Sequence, residues 1–327
     1  MSKSNIVCAG IDTGKYKLDV ALAGAAARRQ VDNTAEGHAR LSAWLRQHAV
    51  ERVGIEASGG YEGAVVAHLR REGFVVIVWQ PAQVRAYAKF LLQHAKNDGI
   101  DAKLVADCTA AAKTIHAPPD PRLLPFAEHL TFIEQLGEDI ARAKTRRESC
   151  HGEERIRAHW TAEIARLKGL LRTEFKALVA KIRSHADLAE RLDLIDSVAG
   201  VGLPTAVAIL VRMPELGQLS RGEAAALVGV APYDDDSGTY VGIRHIAGGR
   251  ERVRGALYAA AFPASQRWNP ALIALYRRLI AAGKPHKVAL VACTRKLVIY
   301  VNTVVERGTP WTPQGRGRQA DPALPAT

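Results

Sequence analysis

Four carboxylates in the N-terminal third of the chain are spaced as a metal-binding set would be. Asp12 closes a short apolar strand and Glu56 closes another, while Asp98 and Asp101 open a helix in Lys96-Asn-Asp-Gly-Ile-Asp-Ala. A spacing of three puts Asp98 and Asp101 on one helix face. Gathered at one place, four like charges stay ionised only beside cations. Oxygen ligands with open positions suit Mg²⁺ or Mn²⁺, and two such ions can clamp both oxygens of a phosphodiester displacement. Each acid taken singly also has an ordinary use: Asp98 as a helix cap, Asp101 as a first-turn acid, Asp12 as a turn residue before Thr-Gly. Asp19, Glu62 and Asp107 fit the set less well and read as surface or capping residues.

A second group of chemistry-bearing residues lies far along the chain. In Ala231-Pro-Tyr-Asp-Asp-Asp-Ser-Gly, followed by Arg244-His-Ile-Ala-Gly-Gly-Arg-Glu-Arg-Val-Arg, the Ser237 hydroxyl precedes Arg244, His245, Arg250, Arg252 and Arg254. Such a group suits a held phosphate, although a serine of this type in such a loop is more often a loop or cap residue. Upstream, Val198-Ala-Gly-Val-Gly-Leu-Pro-Thr between two apolar helices has the form of a helix-hairpin-helix turn. Gly200 and Gly202 would let backbone N–H groups approach a phosphate beside a helix start. A plain tight helix turn is the competing reading.

These residues need elements to position them. Asn5 to Asp12 and Tyr16 to Leu22 read as strands around a turn, with Gln30 to Asn33 as a third, edge strand. Thr34 can cap a helix running to Gln47 with Leu41, Trp44 and Leu45 on one face. Arg52 to Glu56 is a strand, Tyr61 to Arg71 a helix, and Phe74 to Trp79 an apolar run suited to a strand covered on both sides. Helices follow from Pro81 to about His94 and from Asp98 to Lys113. The order βββ-α-β-α-β-α is that of a ribonuclease-H-like α/β domain, not of a doubly wound nucleotide-binding fold.

Beyond His116-Ala-Pro-Pro-Asp-Pro, which cannot continue a helix, Phe126 to about Ala189 reads as helix, broken into a hairpin around Glu148 to Glu154. Apolar residues at 164, 167, 171, 175, 178 and 182 form a nearly straight stripe suited to an internal seam or a self-association face. The expected layout is therefore 1–117 for the metal-binding domain and 118–190 for a helical, coiled-coil-like oligomerisation region. A mainly helical third domain spans 191–310, and a Pro-, Gly- and Arg-rich disordered tail spans 311–327.

Composition narrows the class. The 327 residues carry 45 Lys+Arg against 33 Asp+Glu, for a net charge of +12. Between Tyr240 and Tyr300 stand eleven Lys/Arg and one acid, so almost all the excess sits in one segment. Segregation of this kind favours a polyanion partner, and nucleic acid over a lipid surface. No apolar run reads as a membrane span, no signal or transit pattern opens the chain, and the four scattered cysteines suit reduced core thiols. A soluble cytoplasmic protein is expected.

Asp12, Glu56, Asp98 and Asp101, in Gly10-Ile-Asp, Ile55-Glu-Ala-Ser-Gly-Gly-Tyr and the Lys96 segment, resemble the acidic tetrad of a family of bacterial insertion-sequence transposases. That family has a RuvC-like N-terminal domain and a C-terminal transposase domain, and is related to the Piv-type DNA invertases. The Ala199-Gly-Val-Gly turn, Asp236-Ser-Gly, Ile246-Ala-Gly-Gly-Arg, Ala282-Gly-Lys-Pro and Arg295-Lys-Leu are similar too, in the same order. The resemblance implies a DNA recombinase in which the tetrad holds Mg²⁺ (or Mn²⁺) and Ser237 forms a 5′-phosphoserine intermediate. It also implies double-stranded target and donor DNA, a noncoding bridge RNA as guide, and dimers pairing into a tetramer near the nucleoid. A RuvC-like nuclease attacking with activated water is the alternative. Gly10-Ile-Asp-Thr-Gly-Lys also resembles the first phosphate loop of actin-like sugar kinases, but no second phosphate motif accompanies it.

Overall fold

A computed structural model describes residues 6–92, 98–113, 115, 120–240 and 242–312, and of 98–100 the backbone alone. The Pro-rich linker at 116–119 and the tail after Thr312 lie outside the described residues. The chain divides into two compact units, Met1–Pro118 and Pro119–Thr327.

In the first unit, β1 (Cys8–Thr13), β2 (Lys17–Leu22) and β3 (Arg28–Asp32) form an antiparallel meander. Next come α1 (Ala35–Gln47), β4 (Arg52–Glu56), α2 (Gly63–Arg71), β5 (Val75–Trp79), α3 (Pro81–Phe90) and α4 (Asp98–Ala111). The sheet order is β3-β2-β1-β4-β5, with β4 parallel to β1 and β5 parallel to β4. Thr34 caps α1 as expected, its hydroxyl accepting from Gly37 N at 3.2 Å. The element order matches the reading from sequence.

Period-two alternation gives the sheet two different faces. Ile11, Leu18, Val20, Val53 and Ile55 point to one side and bury against Leu41, Trp44 and Leu45 of α1 and Val65 and Leu69 of α2. Each such aliphatic side chain contributes roughly 1.5–3 kcal/mol by leaving water. The opposite face carries Gly10, Asp12, Asp19, Ala21, Gly54 and Glu56, and its inner part is small because α4 lies directly on it. A Cβ at Gly10 would stand 2.1 Å from Ala106 N and 2.3 Å from Ala102 O, and one at Gly54 would stand 1.8 Å from Thr109 Oγ1.

One strand departs from expectation. The Phe74–Trp79 run forms β5, but it is the edge of the sheet, and Val75 and Val78 are exposed rather than covered on both sides. An apolar run records strand propensity but not sheet position, and here β4 lies inside it.

The second unit is helical. The antiparallel-forming pair α5 (Leu123–Glu148) and α6 (Glu154–Arg183) breaks where the polar stretch predicts, and is followed by α7 (Ala186–Asp196), α8 (Leu203–Arg212) and α9 (Arg221–Val228). A two-stranded ribbon, β6 (Pro232–Tyr233) and β7 (His245–Ile246), precedes α10 (Glu251–Pro263), a π-helical turn at Ala264–Trp268, α11 (Pro270–Ala281) and α12 (His286–Arg307). The 164–182 stripe is an internal seam. Ile164 and Leu167 meet Leu136 and Ile140 of α5, and Leu178 and Ile182 enter the main core. Helix α12 is long and apolar enough to cross a membrane, a feature the reading of apolar runs overlooked. Leu290, Cys293, Leu297, Val298 and Val301 instead bury it in that core. Cys8, Cys108 and Cys293 are buried free thiols, and burial pushes Cys293 up to about 11.

Candidate active site

Helix α4 runs opposite to β1 and β4. Near its C-terminal end the carbonyls of Thr109 and Ala112 accept from Arg52 Nη1, at the start of β4. Its middle, at Ala102 and Ala106, sits over Gly10. Its N-terminal end, with Asp101, therefore lies toward the strand ends that carry Asp12 and Glu56. Asp12 follows Gly10 by two and Glu56 follows Gly54 by two, so both acids project from the face that α4 covers. Asp12, Glu56 and Asp101 are each half-buried. The Asp98 side chain lies outside the described residues, and among the described ones no three His, Cys, Asp or Glu side chains close to metal-binding distance.

Strand register adds one residue that spacing along the sequence could not pair with the acids. Asp19 lies directly across from Asp12, on the same face. Its carboxylate takes Lys17 Nζ at 3.2 Å and Gln30 Nε2 at 2.7 Å. The signal was available as alternation across the first hairpin. Glu62 is a loop staple, as expected, accepting from Ser58 N at 3.1 Å and Gly60 N at 2.9 Å.

In the second unit Ser237 lies exposed at the tip of the excursion between β6 and β7. Its backbone exchanges two hydrogen bonds with Tyr240, at 3.0 and 2.9 Å, closing a turn through Gly238. Two further contacts hold the loop: Arg244 Nε to Asp234 Oδ1 at 2.6 Å, and Gly242 N donating to Asp236 Oδ1 at 3.0 Å. Arg244 is thus already an ion-pair partner, and His245 pairs with Tyr233 in the ribbon.

The remaining basic candidates divide. Arg250 Nη1 donates to Glu215 Oε2 at 2.7 Å and to the Arg212 carbonyl at 2.7 Å. Arg252 pairs with Glu134, which also accepts from Arg212 Nη2 at 2.8 Å. Arg254 Nη1 donates to the Gly248 carbonyl at 2.5 Å. Arg250 and Arg252 therefore clamp helices together, whatever else they touch. Gly200 has φ +99°, and a Cβ there would stand 2.3 Å from Ala264 Cβ, so backbone conformation and close packing both require the glycine. Gly202 is exposed and begins α8.

Comparison with known proteins bears on the whole chain. Residues 9–150 match a DEDD-type IS110 transposase model, and residues 192–277 match a model for the transposase IS116/IS110/IS902 family. The pilin gene-inverting protein of Moraxella bovis is 24% identical over 327 residues, covering 95% of this chain and 98% of its own. That of Moraxella lacunata is 24% identical over 293 residues, covering 85% and 88%. The Thermus thermophilus RuvC structure overlaps 35% of this chain and 84% of its own at 23% identity, with a TM-score of 0.23, too low to establish a shared arrangement. Two models of one family match in order along the chain, the first running past Pro118 into the second unit, and together cover more than half of the sequence: the chain belongs to the IS110-type transposases, enzymes of DNA recombination.

Proposed function

We propose that this transposase cuts and rejoins DNA with Asp12, Glu56, Asp98 and Asp101 as ligands for Mg²⁺ or Mn²⁺ and with Ser237 as nucleophile. The metal reading is supported by the direction of α4, which runs opposite to β1 and β4 and so turns its N-terminal end toward the strand ends bearing Asp12 and Glu56. The donor set is all carboxylate oxygen, which fits a hard divalent cation. Such a cation, when bound, neutralises and polarises phosphate oxygens as a Lewis acid. The meander, the parallel β4 and β5, and α4 across them support a ribonuclease-H-like, RuvC-like domain for residues 1–117. In the same proposal 118–190 serves self-association, 191–310 carries the serine and the basic surface, and 311–327 is a tail.

In the reaction, Ser237 Oγ forms a bond to phosphorus as the bond to the 3′-oxygen breaks. The serine proton is released and the leaving oxygen takes one up, giving a 5′-phosphoserine and a free 3′-hydroxyl. Arg244 and Arg254 hold the phosphate charge as it spreads. His245, beside them in sequence, moves a proton or donates to phosphate, and the N–H groups after Gly202 offer a further phosphate contact. The substrates are double-stranded target and donor DNA. A noncoding bridge RNA supplies the pairing, so the protein would read shape and backbone more than base edges. Dimers pair into a tetramer in the bacterial cytoplasm, at the nucleoid. Because α5 and the main core take up the 164–182 stripe, self-association uses other residues of the helical region.

A nuclease that attacks with water is the second reading. It draws support from Ser237 itself, whose two hydrogen bonds with Tyr240 are made by its backbone. Strand cleavage titrated with Mg²⁺ tests the acids: Asp98→Asn and Asp101→Asn should each lose at least a hundredfold in rate while still binding DNA. Unchanged cleavage would remove the tetrad. Sequencing RNA that copurifies with the protein tests the guide. One dominant structured species is expected, and random cellular RNA would contradict it.

A further inference from the structure

Between Glu251 and Glu306 the chain holds no acid. Within that stretch the end of α10, α11 and the start of α12 bring three rings together. The His286 ring stands 6.3 Å from Phe262 and 5.7 Å from Tyr276, edge-on to both, and the Tyr276 hydroxyl lies 2.6 Å from His286 Nδ1. Phe262 is 51% exposed. Trp268, at the end of the π-helical turn, is 57% exposed with the Arg267 guanidinium 5.1 Å from its ring centre. Arg277, Arg278, Lys284 and Lys287 are exposed and form no ion pair with any described residue.

Solubility accounts for the cations but not for a phenylalanine and a tryptophan left half in water. A protein-binding patch accounts for the rings but not for four cations that pair with no acid among the described residues. An unpaired nucleotide uses both, since its base has a face to stack and its phosphate a charge to neutralise. Duplex DNA keeps its base faces inside the stack and would engage only the cations. Strand exchange opens paired DNA, so a strand with free base faces arises in the family's own reaction.

We propose that this face binds an unpaired stretch of DNA, with a base stacking on Phe262 and phosphates held by Lys284 and Lys287, which flank the His286 that packs on that ring. His286, fixed by Tyr276, sets the Phe262 ring in place. None of these residues belongs to the acidic set or the Ser237 loop, so this surface stands or falls apart from the catalytic reading.

The test uses the full-length protein with one oligonucleotide sequence as single-stranded DNA, as duplex DNA and as RNA, carrying 2-aminopurine as a stacking reporter. Phe262→Ala should weaken single-stranded DNA binding about tenfold and relieve the 2-aminopurine quenching, with duplex affinity unchanged. Phe262→Trp should retain both signals. Lys284→Gln with Lys287→Gln should weaken single strand and duplex alike and flatten the salt dependence. Phe262 is at the surface, and equal melting temperatures would establish that its variants fold. No loss on Phe262→Ala, or equal loss on single strand and duplex, would overturn the stacking surface. RNA bound more tightly than DNA with the same Phe262 dependence would overturn DNA as its occupant.

Discussion

The acids of the first unit and the serine of the second are held in opposite ways. Asp12 and Glu56 stand on neighbouring strands whose register is fixed by the ladder, under a helix packed so closely that Gly10 and Gly54 admit no Cβ. Ser237 stands on an exposed turn whose contacts are local to its own loop. If the acids hold a metal, as proposed, it needs several oxygens at fixed separations before it arrives, so rigidity belongs there. If Ser237 is the nucleophile, as proposed, it must reach a phosphate, bond to it and later release it, and it gains from a loop.

Breaking the rigid side should have the largest effect. Gly10→Val drives a branched side chain into the α4 backbone, where relief requires the helix to move. Loss of at least 3 kcal/mol is expected, seen as failure to fold or a melting temperature lowered by 10 °C or more. A variant that melts like the parent would mean that α4 is not pinned to the sheet. By contrast, Ser237→Ala should shift stability by less than about 0.5 kcal/mol, as an exposed turn allows.

The clamp beneath the loop sharpens the contrast at intermediate size. Arg250 joins Glu215 and the Arg212 carbonyl, but the pair is about one-third exposed and partly screened. Arg250→Ala should therefore cost about 1 kcal/mol, a melting shift of a few degrees. Its DNA-binding loss should then be recovered at low temperature, where the fold is restored. A temperature-independent loss of affinity with unchanged melting would return Arg250 to direct phosphate contact.

The smallest effect is a pH dependence in the first unit. His38 is buried, with Asn33 Oδ1 at 2.8 Å from its Nε2. Burial, and then the nearby His68, hold its imidazole below the usual range. The unfolded chain therefore takes up a proton first as pH falls, so stability is full above the ordinary imidazole range and declines below it. Unfolding from pH 8 to 5 should show this decline, and His38→Gln should flatten it.

Much of this architecture is legible in the sequence, for identifiable reasons. Strand alternation, the Thr34 cap and the polar break at 149–153 are local signals, and the elements fall where those signals put them. The family motifs make the acids recognisable, because each sits at an element end. Long-range partners leave no such trace. The charge count marks Arg250 and Arg252 as basic surface, yet their acids lie 35 and 118 positions away, at Glu215 and Glu134. The 74–79 run looks doubly covered, and only the sheet order makes it an edge. Asp19 reads as peripheral until the β1–β2 register sets it across from Asp12.

In the proposed reaction a serine on a loop and a set of rigid acids act on one phosphodiester. The direct measurement mixes the protein with a labelled, strand-interrupted DNA substrate in Mg²⁺ and resolves the products on a denaturing gel. The parent should give DNA covalently bound to protein, and Ser237→Ala and Asp101→Asn should each abolish that species. Cleavage and rejoining by Ser237→Ala at the parental rate would contradict the account and leave a metal-dependent nuclease in its place.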